Sequence, residues 1–427
     1  MKKYESLKEF LDIWNKISTA EHNTLPLCAA ENITSEFVNI PRGTFLQDKY
    51  ILGGTMKYKK ENNFHGSNLL FHFYELINKQ CSKLFKCNYA DARSFSGMSA
   101  VVTLFMALFK PGDHILITSP KVGGHSSMSF VCERLGIEYD YLPYDFNNKD
   151  FDYFSINKTL AKGKIKGILI ALSDMIEQPQ LKKLDLKDKI LIYDATQILG
   201  MIGAGALENP FEWFSKDQNI ILMGATHKTL PGPTCGLIMM QNLKLAERID
   251  EIVNPRYIRN VQLDNIVSLL FALYELEEFG SEYFSSVRLC TEIVGDFLKK
   301  NRVNVLTTRE GRFTKTHQLW LSLPQKAESW FEKNIELSGI SLNIRKREIY
   351  NGYGIRLGFQ QIARYNWDED ALKSVAKILL LAMKPKCALR QIRKLIDSLP
   401  PRKVDFTFDH ETVDMLGQEM LHYRNIQ

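Results

Sequence analysis

The stretch that decides the reading is Ile220-Ile221-Leu222-Met223-Gly224-Ala225-Thr226-His227-Lys228-Thr229-Leu230-Pro231-Gly232-Pro233. An unbroken apolar run gives way to a lysine, and the lysine to a turn of Pro and Gly. A run of this kind, bounded by turn residues, reads as a strand buried on both faces. The rigid turn then keeps Lys228 at the strand end, where its amine can be held partly dry. Desolvation lowers a lysine pKa and frees the neutral nucleophile. Such an amine suits imine formation with an aldehyde. Taken alone, Lys228 reads more readily as a surface lysine after a buried strand, so the rest of the chain has to decide.

Working outward, runs of the same kind recur at Ile115–Thr118, Gly167–Ala171, Ile190–Tyr193 and Gly236–Met240. From residue 90 they alternate with helical stretches, the pattern of a doubly wound α/β fold with a mostly parallel sheet. Residues 68–87 carry Leu69, Leu70, Phe73, Leu76, Ile77, Cys81 and Leu84 at helical spacing. A long apolar helical pattern from about Leu263 to Phe279 is expected to link a large domain to a smaller α/β one. Residues 1–20 read as a polar-faced helix. Residues 21–66 lack periodicity, and an irregular segment of that length is usually functional or wraps a partner. The expected division is an N-terminal arm over 1–50, a large domain over 51–285 and a small C-terminal domain over 286–427. The last of these carries an appended helical tail from 385, broken by Pro400-Pro401.

A chain of 427 residues is long for one core, so two domains are expected. The net charge of +6 is spread among acids without a block of one sign, which gives no support for nucleic-acid binding. Nothing resembles a secretory leader or a run of roughly 18 apolar residues, so no membrane span and a cytoplasmic location are expected. The seven cysteines are scattered, without Cys-x-x-Cys pairs or nearby histidines. Neither a disulfide framework nor a metal site is expected.

Four more places carry chemistry. Ser96-Gly97-Met98 precedes an apolar helix, where free N–H groups and the helix dipole can seat an anion. His125 follows Gly123-Gly124 in a loop after a strand end, where α/β sheets bind ligands. Asp194 ends an apolar run. A carboxylate there can hold the proton of a pyridine ring and make pyridoxal phosphate (PLP) an electron sink. Gln197, three residues on, can donate to the ring phenolate. Arg356, between Gly354 and Gly358, suits bidentate binding of a carboxylate. Each has a plainer reading: a serine N-cap, a satisfied histidine, an aspartate capping the next helix, a surface arginine.

Together with Leu25 to Ser35, Asp48-Lys49-Tyr50, Lys110-Pro111-Gly112-Asp113 and Gly203-Ala204-Gly205, the order and spacing of these pieces resemble serine hydroxymethyltransferase, a family of fold-type I PLP-dependent transferases. The likeness is dense over roughly 20–240 and thinner afterwards, apart from the Arg356 turn. It implies PLP as cofactor, with Lys228 as the Schiff-base lysine, Asp194 on the pyridine nitrogen and His125 stacked on the ring. Ser96, Gly97 and Met98 would seat the phosphate, supported by Thr226 and His227. Arg356 would bind the substrate α-carboxylate, with Glu31 also on the substrate side. Tyr50 would reach the site of a second subunit, because the family builds its sites at a homodimer interface.

The chain departs from the family on the substrate side. Counting without a gap from Tyr50 puts Leu52 where the family has a folate-contacting Glu; Glu61, beyond an insertion of a few residues, is only a candidate to replace it. The paired tyrosines fall near Asn63 and Phe64. Ala30 stands for a Ser and Thr234 for an Arg. Gln197 replaces a His, a variant that resembles class V aminotransferases and cysteine desulfurases. Asn254–Asn260 replaces a Gly-rich loop, so Arg256 or Arg259 is expected to supply charge to the phosphate. The resulting expectation is a PLP enzyme that makes or breaks the Cα–Cβ bond of an amino acid, of aldolase or transaldolase type and without folate. The alternatives are an authentic hydroxymethyltransferase using tetrahydrofolate, an aminotransferase or racemase, and a non-catalytic scaffold.

Overall fold

In the computed structural model, which describes residues 5–53 and 64–421, the apolar runs become strands of one sheet. Glu61 and Asn63 lie outside the described residues. Helix α1 (Glu5–His22) has no buried residue and exposes Leu7, Phe10, Ile13, Trp14 and Ile17. Strand β1 (Leu25–Pro26) follows. Helix α2 (His72–Phe85) buries Tyr74, Ile77, Cys81 and Phe85 and leads into β2 (Tyr89–Ser94). Then come α3 (Gly97–Leu108), β3 (His114–Ile117), β4 (Glu138–Tyr141), β5 (Ile165–Ala171), β6 (Ile190–Asp194), β7 (Ile220–Ala225) and β8 (Gly236–Met240).

Across the sheet the order is β2-β8-β7-β6-β5-β3-β4. The five strands from β7 to β4 pair in parallel, and β8 runs antiparallel to β7 and β2. β7 and β8 are buried throughout, as strands covered by helices on both faces must be. Two strands carry no apolar run. β2 reads Tyr-Ala-Asp-Ala-Arg-Ser and is buried only because Arg93 pairs with Asp91 and Asp250, each at 2.5 Å. β4 is an exposed edge reading Glu-Tyr-Asp-Tyr, the polar dress that keeps an edge from pairing further.

Helix α4 (Leu263–Lys300) runs well past Phe279, because Tyr283, Val287, Cys290, Val294 and Leu298 continue its apolar face. A second sheet follows, with β9 (Asn304–Val305), β10 (Gln318–Ser322), β12 (Asn343–Arg347) and β13 (Gly352–Gly358) in the order β9-β10-β13-β12, all antiparallel. Between them β11 (Ile340–Ser341) pairs in parallel with β1. The N-terminal segment crosses β13 so closely that a Cβ on Gly358 would lie 2.3 Å from Ala29 Cα, so only glycine fits there.

The end of the chain folds back onto the beginning. After α5 (Glu369–Ala382), Arg402 donates to the carbonyls of Glu21 and Thr24 at 3.1 and 2.6 Å. Phe408 packs against Phe37 with the rings tilted by 45°, and Val413 and Leu416 of α6 (His410–Leu421) pack on the same cluster with Val38 and Ala272. Among the described residues no helix is long and apolar enough to cross a membrane. Nor, among them, do three His, Cys, Asp or Glu side chains gather as a metal site.

Candidate active site

The carboxyl ends of β5, β6 and β7 present Ala171, Asp194 and Ala225, and the loops beyond them converge. Lys228 lies three residues past β7 in a loop that closes on itself. Thr226 N–H donates to the Cys235 carbonyl at 3.2 Å, and Gly232 N–H to the Thr226 carbonyl at 2.9 Å. The fully buried Thr226 hydroxyl donates to the Pro233 carbonyl at 2.6 Å, so it holds the loop. Burial brings the Lys228 amine down to about 8 from 10.5; Asp194 pulls it back up, while Arg356 and Arg345 push it further down. With the Gln197 amide oxygen turned toward it, Lys228 Nζ is 2.9 Å away, and the amide nitrogen then faces the Ala29 carbonyl at 3.3 Å.

Asp194 accepts the Thr196 N–H at 3.0 Å and lies within electrostatic reach of both Lys228 and His125. His125 is tethered by its own N–H to the Ala171 carbonyl at 3.0 Å. Burial lowers its pKa, opposed by Asp194 and reinforced by Lys228 and Arg347. The balance favours the neutral imidazole. At the head of α3, the Ser96 hydroxyl accepts the Ser99 N–H at 3.2 Å and the Ser99 hydroxyl accepts the Ser96 N–H at 2.9 Å, a reciprocal cap. The Gly97 and Met98 N–H groups have no acceptor within the helix and remain available to an anion. His227, lowered by burial and by Lys228, has a buried Nδ1 without a partner among the described residues.

Arg356 is buried on β13. Its Nε and one NH2 proton go to Asn343 Oδ1, at 3.1 and 2.6 Å, and one NH1 proton goes to the Ser173 carbonyl. A guanidinium has five N–H donors, so NH2 keeps one for a carboxylate, while NH1 also lies 3.5 Å from Asp174 Oδ1.

Several residues of the site had no local signature. Asn32 donates to the Lys228 carbonyl at 2.5 Å and to Tyr283 Oη at 3.0 Å. His317 is fully buried, 3.3 Å from the Ala29 carbonyl, and burial drops its pKa to about 3. Asp174 is buried against Arg345, Arg347, Arg356 and the Tyr350 hydroxyl.

The remaining expected residues lie elsewhere in this chain. Tyr50 is 38% exposed and stacks on Phe64, with ring centroids 4.4 Å apart. Among the described residues no contact joins it to Lys228. Arg256 is exposed and pairs with Glu251, and Asn254 occupies the loop interior, donating to the Ile258 carbonyl at 2.5 Å and accepting the Gly53 N–H at 2.6 Å. The Glu31 side chain is exposed and meets Ser341 Oγ at 3.4 Å. Leu52 is 8% exposed within the core, and Thr234 is exposed.

The donor set fits pyridoxal phosphate. A low-pKa amine stands beside a carboxylate, a helix start offers free N–H groups to a phosphate, and a neutral imidazole lies near both charged groups. The comparisons agree. A family profile described as Serine hydroxymethyltransferase matches residues 4–272. The chain is 26% identical over 402 residues to the serine hydroxymethyltransferase of Archaeoglobus fulgidus, covering 91% of this chain and 90% of that one. It is 27% identical over 409 residues to that of Pyrococcus horikoshii, covering 91% and 93%. Its fold matches a crystal structure of L-threonine transaldolase from Pseudomonas fluorescens with a TM-score of 0.87 at 21% identity, over 98% of each chain. The fold is therefore α/β of fold type I, the cofactor is pyridoxal phosphate, and the chain is a divergent member: it belongs to the serine hydroxymethyltransferase family of PLP-dependent enzymes.

Proposed function

We propose that this enzyme makes or breaks the Cα–Cβ bond of a β-hydroxy amino acid, with an aldehyde and not tetrahydrofolate as the second reactant. The observation that carries the reading is a contrast within one site. Lys228, Asp194, His125 and Arg356 keep the amine, ring carboxylate, imidazole and guanidinium, while Leu52, where the family's folate-side acid falls in a gap-free count, is core. The fold is one that an L-threonine transaldolase uses, so the scaffold admits this chemistry.

Bound PLP supplies a sink for the electron pair left on Cα. The chain's own groups do the rest. Lys228, with a pKa of about 8, gives a neutral amine close to neutral pH to hold the cofactor. Asp194 would hold the proton of the ring nitrogen, and His125 would lie against the ring, its burial favouring the neutral form. The Arg356 guanidinium would grip the α-carboxylate. For threonine the Cα–Cβ bond would break as the hydroxyl gives its proton to His125; acetaldehyde would leave, and Cα would take that proton back to give glycine. In the return direction Cα would lose a proton to the same base and bond to an aldehyde carbon, whose oxygen would take the proton up. Tyr50, turned to the surface here, is assigned to the site of a second copy in a homodimer, and the cytoplasm is the compartment this reading assigns.

Cleavage of L-threonine and phenylserine by the PLP-loaded enzyme, with and without tetrahydrofolate, tests the reading. Aldehyde release that is undiminished without folate is expected. Strict folate dependence would sink the proposal and establish the second reading, a tetrahydrofolate-using hydroxymethyltransferase, which the family match favours.

A further inference from the structure

The charges around Asp174 exceed what that carboxylate can balance. Arg345 Nε lies 3.1 Å from it, Arg356 NH1 3.5 Å, and Arg347 is in direct contact. Three guanidiniums face one buried carboxylate, and the neutral Tyr350 hydroxyl at 3.1 Å adds no charge. If Arg356 takes the α-carboxylate of an amino acid, one positive charge is still unanswered.

The fold aims that excess at the reacting centre. Side chains alternate along a strand, so Asn343, Arg345 and Arg347 of β12 share one face. Their cross-strand partners on β13 are Arg356, Gly354 and Gly352. The positions opposite the two β12 arginines are therefore glycines, and the space a Cβ would take at Gly354 is filled by the Tyr350 ring. The two arginine side chains remain 23% and 17% exposed while Asp174 is closed off. Among the described residues neither Arg345 nor Arg347 has an acidic partner other than Asp174. The pair stands beside Arg356 of the adjacent strand, and the charges of Arg345 and Arg347 are felt at Lys228 and at His125.

We infer that Arg345 and Arg347 form a second anion-binding subsite, which takes a carboxylate or phosphate on the aldehyde that becomes the amino acid's side chain. The inference rests on the Cα–Cβ reading above and names its substrate class: an aldehyde carrying an anion, or in the reverse direction a β-hydroxy amino acid with an acidic side chain. Planar guanidiniums with open N–H pairs suit such groups better than ammonium would.

The test uses PLP-loaded enzyme with L-threonine as donor and compares kcat/KM for 4-carboxybenzaldehyde and benzaldehyde. The wild type is expected to prefer the charged aldehyde at least about tenfold, a preference that shrinks as ionic strength rises. Arg345→Gln and Arg347→Gln should each lower that ratio about tenfold, with partial recovery in Arg347→Lys. Equal use of the two aldehydes by the wild type would overturn the subsite and leave the aldehyde chemistry standing. A charged-aldehyde preference that persists in both Gln variants would overturn it as well. Product from neither aldehyde would overturn the underlying reading, and the subsite with it. The wild-type ratio and its salt dependence decide the matter even if a variant fails to fold.

Discussion

Two buried carboxylates in this protein sit beside arginine, and their surroundings differ. Glu275 of α4 meets Arg364 at 3.3 Å with both side chains 1% exposed, and it accepts hydroxyl protons from Ser35 and Thr407. One positive charge answers one negative, and the hydroxyls fill the remaining lone pairs. Asp174 meets three arginines, and two of them keep an open flank. A closed and balanced pair can only hold segments together. An open and unbalanced set has charge left over for a ligand.

The sharpest way to break the comparison is to unbalance the closed pair. Arg364→Met leaves Glu275 charged and buried, and it should lower stability by about 3–5 kcal/mol, read as a fall in the urea midpoint with the m-value unchanged. Next comes the amine. In the cofactor-free protein Lys228 titrates near 8, against 10.5 for an ordinary lysine. A lowered folded pKa means that the charged form is penalised in the fold. Below pH 8 both states hold the proton and the penalty is full. Between 8 and 10.5 the unfolded chain binds a proton that the fold has shed, so this group's contribution to stability rises with pH. Lys228→Met should therefore be more stable than wild type by about 3 kcal/mol at pH 7, with the difference vanishing above pH 10.5 in paired denaturation curves.

A third change addresses geometry at constant charge. Arg356→Lys keeps the cation but loses the fork held by Asn343 and Ser173. It should cost about 10²-fold in kcat/KM for threonine, with the loss falling mainly in KM. The smallest effect belongs to the open cluster. Arg347→Gln leaves Asp174 with two arginines and a hydroxyl, so stability should fall by about 1 kcal/mol or less. A loss as large as that of Arg364→Met would erase the distinction between the two carboxylates.

The parts of the site that could be read in advance are those with local signals. Lys228, Asp194 and His125 lie at or beyond the ends of apolar strands, and apolar runs mark β5 to β8; Arg356 is legible from its flanking glycines, although it sits within strand β13 and not in a turn. Asp174, Asn343, Arg345, Arg347 and His317 have no such signal. Asp174 reads as an ordinary loop residue in Ala-Leu-Ser-Asp-Met, and its partners arrive from a strand more than 170 residues later. β2 escaped notice because its burial depends on an Arg93–Asp91–Asp250 network that pairs residues 157 apart. The tail after 385 read as an appendage because its apolar residues, such as Phe408 and Leu416, find their partners at Phe37 and Val38, at the other end of the chain.

That meeting of the two ends has a consequence for how the enzyme is made. The segment bearing Ala29 and Asn32, which touch the lysine loop and its neighbours, is pinned by β11, by Gly358 and finally by Arg402. At roughly 5–20 residues per second, a ribosome needs roughly 15–60 s to travel from residue 26 to residue 340. Throughout that interval the early segment waits without its anchors, so the site is completed only after residue 340 has been made. A chain cut short before Ile340 would leave that segment unmoored, and the defect of the truncated product would surface far from the cut.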